Sequence, residues 1–379
     1  MSILDALTAD ELTELGRTVA GVPTARIDDL RVEVVDYPIG TPSTEGLYRV
    51  FGTADGVTWS CFVKKLQSAR HWAHMAMVPE AFREEFIQNL PWELEIAVHR
   101  SGVADLLPDG MRLPKLYRVD MYDDHRGTLW MENVIPEPGP WPITRFERAA
   151  YLLGRLSARR QEHLVDPLLP RGNVSTPGIA LRYYTGGRVM MNAVPAIADP
   201  ETWKHPMLAA AVSNLGDHTL REDLLALSAR LPAVLDALDA LPQCYQHGDA
   251  SPQNLLVPQG SPDEFVVIDW GFDCPQAVGF DLGQLLIGLA HAGELSPEAV
   301  PAVHKVILKA FLAGTAEEGL QVSEEQVLYG YLGSLCARAT FTALPLEEIT
   351  KPTDPVTQEL FEQRVRLTRV LVDLVSPVV

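Results

Sequence analysis

The sequence predicts an α+β chain in two parts, a small antiparallel β-rich lobe followed by a larger, mainly helical lobe. Three observations predict it. Short β-branched and aromatic runs separated by turn residues fill positions 31–66. Pro136, Pro138, Pro140 and Pro142 then fall within seven positions, a spacing that neither a helix nor a central strand accommodates. Beyond them apolar residues recur at helical spacing almost to the end. The lobe boundary therefore falls at the prolines, giving an N-terminal lobe 1–135 and a C-terminal lobe 136–379.

The elements follow in order. Leu4, Leu7, Leu12 and Leu15 among acidic residues predict a short amphipathic helix over 3–18, with Ser2 or Thr8 to cap its turns. Leu30, Val32, Val34 and Val35 form a first strand that runs into the small-residue turn Ile39–Gly46. Leu47 to Phe51 is a second strand, Ala54-Asp55-Gly56 a hairpin turn, and Trp59 to Leu66 a third strand. Residues 80–101 read as helix interrupted at Pro91, and two more strands cover 115–120 and 127–133. In the second lobe helices are expected over 144–162, 206–215, 217–241, 280–292, 297–314, 324–344 and 354–374. Phe265 to Ile268 is a short buried strand, and the rest of 170–218 is irregular. The chain has no internal repeat and no low-complexity segment.

Composition excludes several classes. Lys+Arg 31 against Asp+Glu 50 gives a net charge of −19, while 47% hydrophobic and 21% charged residues fit a globular chain rather than a disordered one. So acidic a surface excludes nucleic acid as a partner, since a phosphate backbone needs cations to replace its counterions. It suits a cationic substrate, but plain solubility explains it as well. Asp5, Asp10, Glu11 and Glu14 stand where a signal peptide would carry basic residues, so none is expected. No run approaches the roughly 18 to 20 uncharged apolar residues of a membrane span, and no membrane partner is expected. Cys61, Cys244, Cys274 and Cys336 show no C-x-x-C or zinc-like spacing; Cys61 and Cys336 read as small buried hydrophobes. These features together predict a reduced, cytoplasmic protein.

The sharpest motif is Gln246-His247-Gly248-Asp249-Ala250-Ser251-Pro252-Gln253-Asn254. Fifteen residues past Asn254 comes Asp269, at the end of Val266-Val267-Ile268 and before Trp270-Gly271. Phosphoryl transfer from a nucleotide asks for this set. A carboxylate must accept the proton of the attacking hydroxyl, and a carboxamide oxygen with a second carboxylate must hold Mg²⁺ or Mn²⁺ against the phosphates. His-x-Asp-x-x-x-x-Asn supplies Asp249 as base and Asn254 as amide on one loop, with Asp269 as the metal carboxylate. His247 reads as structural, bracing the loop through a hydrogen bond. A polar turn with Asp and Asn as caps would share single residues of this pattern, but not the loop, strand and second carboxylate together.

His247-Gly248-Asp249…Asn254 with Ile268-Asp269-Trp270 resembles the aminoglycoside phosphotransferase and choline kinase family. That family has His-Gly-Asp where protein kinases have His-Arg-Asp, and Ile-Asp-Trp where they have Asp-Phe-Gly. The resemblance is specific over 244–284 and loose over the rest. It implies a protein-kinase-like two-lobed fold, a nucleotide-binding N-terminal lobe, ATP or GTP as donor and a small-molecule hydroxyl as acceptor. It further implies a third-strand lysine for the phosphates and a helix glutamate to hold it. Trp59-Ser60-Cys61-Phe62-Val63-Lys64-Lys65-Leu66 offers two lysines on opposite faces; the family pattern favours Lys64, with Lys65 the alternative. Trp92-Glu93-Leu94-Glu95-Ile96-Ala97 supplies Glu95 as the matching acid and Glu93 as the reserve.

The turn Gly40–Gly46 stands where a Gly-rich loop would, with Ser43 and nearby amides toward the phosphates, although a simple hairpin turn fits it nearly as well. Leu129 to Val134 stands at the interlobe hinge, where backbone at Glu132 and Val134 would meet the adenine. Asp281 would brace the catalytic loop from below, a role compatible with capping its own helix. For the acceptor, Tyr183, Tyr184 and Trp203 beside Asp199, Glu201 and Asp217 suit a cation or a sugar, although a packing loop would look the same. Asp273 is a further candidate contact. The function implied is an O-phosphotransferase for an aminoglycoside-like antibiotic, aminosugar or amino alcohol. The alternatives are a sugar or metabolite kinase of primary metabolism with the same fold, or a nucleotide-binding regulator without catalysis. The oligomeric state is not legible.

Overall fold

Hydrophobic alternation on the early strands places two faces of one sheet against two different helices. A computed structural model of the chain describes residues 3–164, 169, 171–349 and 355–379. By internal contacts the chain divides into two units. One comprises Met1–Pro138, Leu168–Gly172 and Leu256–Gly271; the other comprises Gly139–Pro167, Asn173–Leu255 and Phe272–Val379.

In the first unit β1 (Ile27–Val34), β2 (Thr44–Ala54), β3 (Val57–Gln67), β5 (Leu116–Asp123) and β6 (Arg126–Glu132) form an antiparallel sheet in the order β1-β2-β3-β6-β5. The strands begin earlier and run longer than the apolar runs alone predict, because ladder pairing carries polar residues along. Asp55-Gly56 turns the β2–β3 hairpin, with Ala54 opposite Val57. Helix α1 (Ala9–Ala20) lies over one face, packing Leu15 with Val50, Trp59, Cys61, Val63 and Trp130. Thr8 caps it in a reciprocal box with Glu11; Ser2 lies outside the described residues. A 3-10 turn, Ile3–Ala6, precedes it, so the predicted start of the helix is displaced. The opposite face packs Leu66, Leu129 and Met131 against Trp92 and Ile96, the latter on α2 (Leu94–Arg100).

The division of the chain is not a single cut at 135/136. Strand Phe265–Val267 pairs in parallel with β4 (Met111–Arg112), aligning Met111 with Phe265. Arg112 fixes this return through Glu132 at 2.5 Å and Glu264 at 3.1 Å.

The second unit is helical. Its tightest crossing joins α3 (Ile143–Arg159) to α5 (Val300–Glu317), with α4 (Asp281–Ala292) packed beside them. Glycines permit that crossing: a Cβ at Gly154 would lie 2.2 Å from the Phe311 carbonyl oxygen, and one at Gly314 would lie 2.0 Å from that of Tyr151. The stretch Pro297–Glu317 is long and apolar enough to cross a membrane, with mean hydropathy 1.3. Here its Val303, Ile307 and Phe311 are core residues. Two-stranded pairing of Gln243–Gln246 with Cys274–Ala277 adds a small sheet that the sequence reading lacks.

Two further expectations change. The stretch read as irregular contains a run of helix: Ile179–Tyr184, then a wide-turned π segment Thr185–Ala193, then Val194–Ala198. The helix expected over 324–344 ends as α-helix at Leu335 and continues as a π segment, Cys336–Thr340. The final helix is Pro355–Val375, and its expected start at Asp354 lies outside the described residues. All four cysteines are buried and free, and burial pushes the Cys61 and Cys336 thiols up to about 12.

The helix crossing yields a test. Gly314→Ala should destabilise the protein by about 1–3 kcal/mol, the usual cost of overpacking, because the obstacle is a backbone carbonyl that cannot swing away. Gly40→Ala, whose Cβ would meet nothing within 4 Å, is the control and should leave the denaturant midpoint almost unchanged.

Candidate active site

In the first unit strand alternation decides between the two lysines. Trp59, Cys61 and Val63 pack on the α1 side of β3, so Lys64 points to the α2 side. Its Nζ lies 2.6 Å from Glu95 Oε2 and 2.8 Å from Asp269 Oδ1. Lys64 is 7% exposed and Glu95 4%. Burial alone would strip the lysine of its proton; the charges of Asp269 and Glu95 outweigh it and hold the proton more tightly than usual. Lys65 instead pairs with Glu45 at 2.5 Å. Glu95, not Glu93, meets Lys64. One turn further along α2, burial and the Lys64 charge push His99 down to about 4, so its ring is neutral at pH 7.

Asp269 follows strand Phe265–Val267 with φ 61°, a left-handed conformation uncommon outside glycine. Trp270 beside it is fully buried and donates from Nε1 to the Val267 carbonyl at 3.0 Å. A strained backbone at a functional carboxylate persists only where its surroundings over-determine it. Lys64 on one side and Trp270 on the other do so here.

The Gly40–Gly46 turn is tied to the end of β3. Gln67 donates from its backbone to the Ser43 carbonyl at 3.0 Å and from Nε2 to Pro42 at 3.2 Å, while the Ser43 amide donates to Thr41 Oγ1. The Glu132 carboxylate is bound by Arg112 and by the Lys115 amide, and its own amide donates to the Lys115 carbonyl. Val134 makes no backbone hydrogen bond among the described residues.

In the second unit strand Gln243–Gln246 delivers His247, Gly248 and Asp249. The His247 and Gly248 amides each donate to the Asp281 carboxylate at 2.9 Å. Asp281 opens α4 without capping it, so its carboxylate serves the loop. Burial raises the Asp281 pKa, opposed by His247 and by those two amides. His247 is fully buried, and its Nδ1 accepts the Asp249 amide at 3.2 Å. Gly248 is irreplaceable at φ 85°, since a Cβ there would lie 2.1 Å from the Phe272 carbonyl oxygen. Asn254 closes a 3-10 turn, Pro252–Asn254, and its Nδ2 donates to the Asp249 carbonyl at 2.8 Å and to Asp249 Oδ2 at 3.1 Å. The amide oxygen of Asn254 is thereby turned away from Asp249.

The expected acceptor contacts fare differently. Asp273 is fully buried and ion-paired with Arg160, itself fully buried, so it is a core residue rather than a ligand contact. Its place four residues after Asp269 carried no information about depth. Trp203 donates from Nε1 to the Ile197 carbonyl at 2.8 Å, closing off a helix end, and Tyr183 is half-buried. Asp217 pairs with Arg369 at 2.5 Å and Glu201 with Lys204 at 2.6 Å, while Asp199 accepts the Glu201 amide.

Sequence reasoning missed Arg338. From the π segment Cys336–Thr340 its guanidinium donates to Asp249 Oδ1 at 3.0 Å and to the Gly248 carbonyl at 2.5 Å. Arg338 is the only charged residue between Gly330 and Pro345. A lone cation in so apolar a run was the available signal.

Comparison with known proteins bears on this arrangement. The family model of the phosphotransferase enzyme family matches residues 190–320, the stretch that holds Asp249, Asn254, Asp269 and Asp281. An aminoglycoside phosphotransferase from Alicyclobacillus acidocaldarius superposes with TM-score 0.50 at 13% identity, over 93% of this chain and 94% of its own. Amicoumacin kinase hAmiN superposes with TM-score 0.51 at 12% identity, over 98% and 95%. The fold is that of the aminoglycoside phosphotransferases. The protein-kinase-like resemblance read from His-Gly-Asp and Ile-Asp-Trp therefore extends to a chain-long aminoglycoside phosphotransferase fold. No curated protein matches the chain by sequence.

Two outcomes follow. Lys64→Met should weaken nucleotide binding roughly 10- to 150-fold, the worth of a charge-assisted hydrogen bond, whereas Lys65→Met should leave it nearly unchanged; calorimetric titration with ATP reads both. Asp273→Ala should cost about 3–5 kcal/mol of stability by stranding the Arg160 charge. A fully stable Asp273→Ala protein would return Asp273 to the surface.

Proposed function

We propose that this chain is a small-molecule O-phosphotransferase that moves the γ-phosphoryl group of ATP or GTP to a hydroxyl of an organic acceptor. One observation carries the reading most. Asp249 stands on a loop whose two preceding amides are gripped by the buried Asp281, and Asn254 donates to the Asp249 carboxylate itself. Phosphoryl transfer passes through a loose transition state, so the protein's task is positioning and charge. Asp249 orients the acceptor hydroxyl and takes its proton late.

Lys64, kept charged by its two carboxylates, is the group for the nucleotide phosphates. Ser43 and its neighbouring amides cover them, and the unpaired Val134 backbone offers a donor and an acceptor to the adenine edge. Asp269 and Asn254 offer oxygen donors alone, which suits Mg²⁺ or Mn²⁺ and not zinc. Among the described residues no group of three or more His, Cys, Asp or Glu could hold a metal. In nucleotide sites Mg²⁺ takes most of its ligands from phosphate and water. Such an ion neutralises the charge developing on the transferred group. Amicoumacin kinase hAmiN, of the same fold, has a solved structure in complex with AMP-PNP, Ca²⁺ and Ami, which supports a nucleotide with a divalent cation here.

ADP release in the presence of Mg-ATP, screened over antibiotics, aminosugars, amino alcohols, sugars and hydroxy acids, tests the reading. With any acceptor that turns over, Asp249→Asn should lower kcat roughly 10²- to 10⁴-fold with little change in nucleotide affinity. Equal turnover by the two proteins would remove Asp249 from the role of base. Nucleotide binding with no acceptor phosphorylated would favour the regulator.

A further inference from the structure

We infer that the acceptor carries an anionic group, carboxylate or phosphate, close to its reacting hydroxyl, and that Arg338 selects for it. The inference rests on the phosphotransferase reading only in taking Asp249 as the base. Arg338 holds the rim of that base: its side chain is 15% exposed, with the guanidinium on Asp249 Oδ1 and the Gly248 carbonyl. A guanidinium has five N–H donors, and among the described residues Arg338 makes no hydrogen bond beyond these two. The rings of Tyr184, Phe272 and Phe280 surround it at 5.6, 5.9 and 5.7 Å, and Phe272 is 40% exposed. The position is built, since two π segments pack together to make it, joined by Thr185 Oγ1 donating to the Ala337 carbonyl at 3.0 Å. Wide-turned segments of this kind recur at functional sites.

The described carboxylates that touch this loop and its strand are committed. Asp249 is bound by Arg338, Asp273 by Arg160, and Asp281 by the His247 and Gly248 amides. The run Ile179–Ala198, which supplies the facing π segment, contains no Asp or Glu and two arginines, Arg182 and Arg188. Arg182 is paired with Asp236 and Asp239, while Arg188 is exposed and has no ion-pair partner among the described residues. An ammonium beside the reacting hydroxyl would meet a fixed cation, and among the described residues of this loop and the facing run no uncommitted carboxylate to hold it. An anion would take the remaining donors of Arg338 in charge-assisted bonds, and its neighbouring hydroxyl would then lie at Asp249.

Binding, which needs no turnover, decides the point. Glucuronate, glucose 6-phosphate, glucose and glucosamine place a carboxylate, a phosphate, no charge or an ammonium on one ring. They are titrated calorimetrically into the full chain saturated with Mg-ADP. At least one anionic sugar should bind tenfold or more tighter than glucose, with glucosamine weakest; which anion leads separates carboxylate from phosphate. Arg338→Met should erase the anionic advantage and raise glucosamine, since Asp249 is then uncovered, while Arg338→Lys should keep part of it. A residue that merely braces the loop would lower all four sugars alike, and that result overturns the proposal. So does a wild type in which neither anion outbinds glucose, including one that binds none of them. Mg-ADP affinity of each variant reports folding, and its absence in wild type would sink the nucleotide-binding reading separately. If Arg338→Met fails to fold, the wild-type ranking and Arg338→Lys still decide.

Discussion

A buried ammonium between two carboxylates sets the form of the first unit. Removing Lys64 from water costs several kcal/mol even after relaxation, and only opposite charges at hydrogen-bond distance offset that. Those charges come from separate stretches of chain: β3 brings Lys64, α2 brings Glu95, and the segment after strand Phe265–Val267 brings Asp269. Three consequences follow from one ion. The register of β3 is fixed, because a slip by one residue would bury Lys65 instead. Helix α2 must resume after Pro91 with Glu95 in its first turn. The chain must also return to this unit, which it does by pairing Phe265 and Val266 with Met111 and Arg112.

The second unit solves the opposite problem, a buried carboxylate. Asp281 is 1% exposed and keeps company with backbone amides rather than with a lysine. Amide donors cannot lose their protons, so the grip on His247 and Gly248 does not depend on the protonation of a side-chain donor. Gly248 follows directly on that grip: its positive φ turns the chain onward to Asp249, and the close Phe272 carbonyl forbids any side chain. Asp249 is thus fixed from below by main chain and held at its rim by Arg338. In both units the side chain proposed for the chemistry is held in one place by close polar partners, the arrangement that preorganised catalysis requires.

What could be read from residues alone follows the range of the forces involved. Strand alternation, turn residues and helix periodicity are local, so the five long strands and most helices were legible, within a few residues at each end. Strand alternation could only set Lys64 and Lys65 on opposite faces; the preference for Lys64, and for Glu95 over Glu93, came from the family pattern. The stretch 179–198 reads as irregular, whereas it is helical, with Gly186 and Gly187 held in a wide-turned segment. Asp273 misled as well: a carboxylate in a loop after an active-site strand looks exposed, and only the distant Arg160 shows that it is not. Arg338 lies 89 residues from Asp249 in sequence, and no local pattern carries information across that span.

The total charge of the chain and the charge at the base point in opposite directions, and distance decides which governs a bound molecule. Part of the acidity is already neutralised in ion pairs, such as Asp217 and Asp223 with Arg369, or Asp236 and Asp239 with Arg182. At physiological ionic strength exposed charges are screened over about 8 Å. A partly buried guanidinium in contact with the reacting centre is screened far less. The acidic surface therefore acts only over short distances and is weak at the loop. On the proposed reading, the group beside the reacting hydroxyl answers to Arg338.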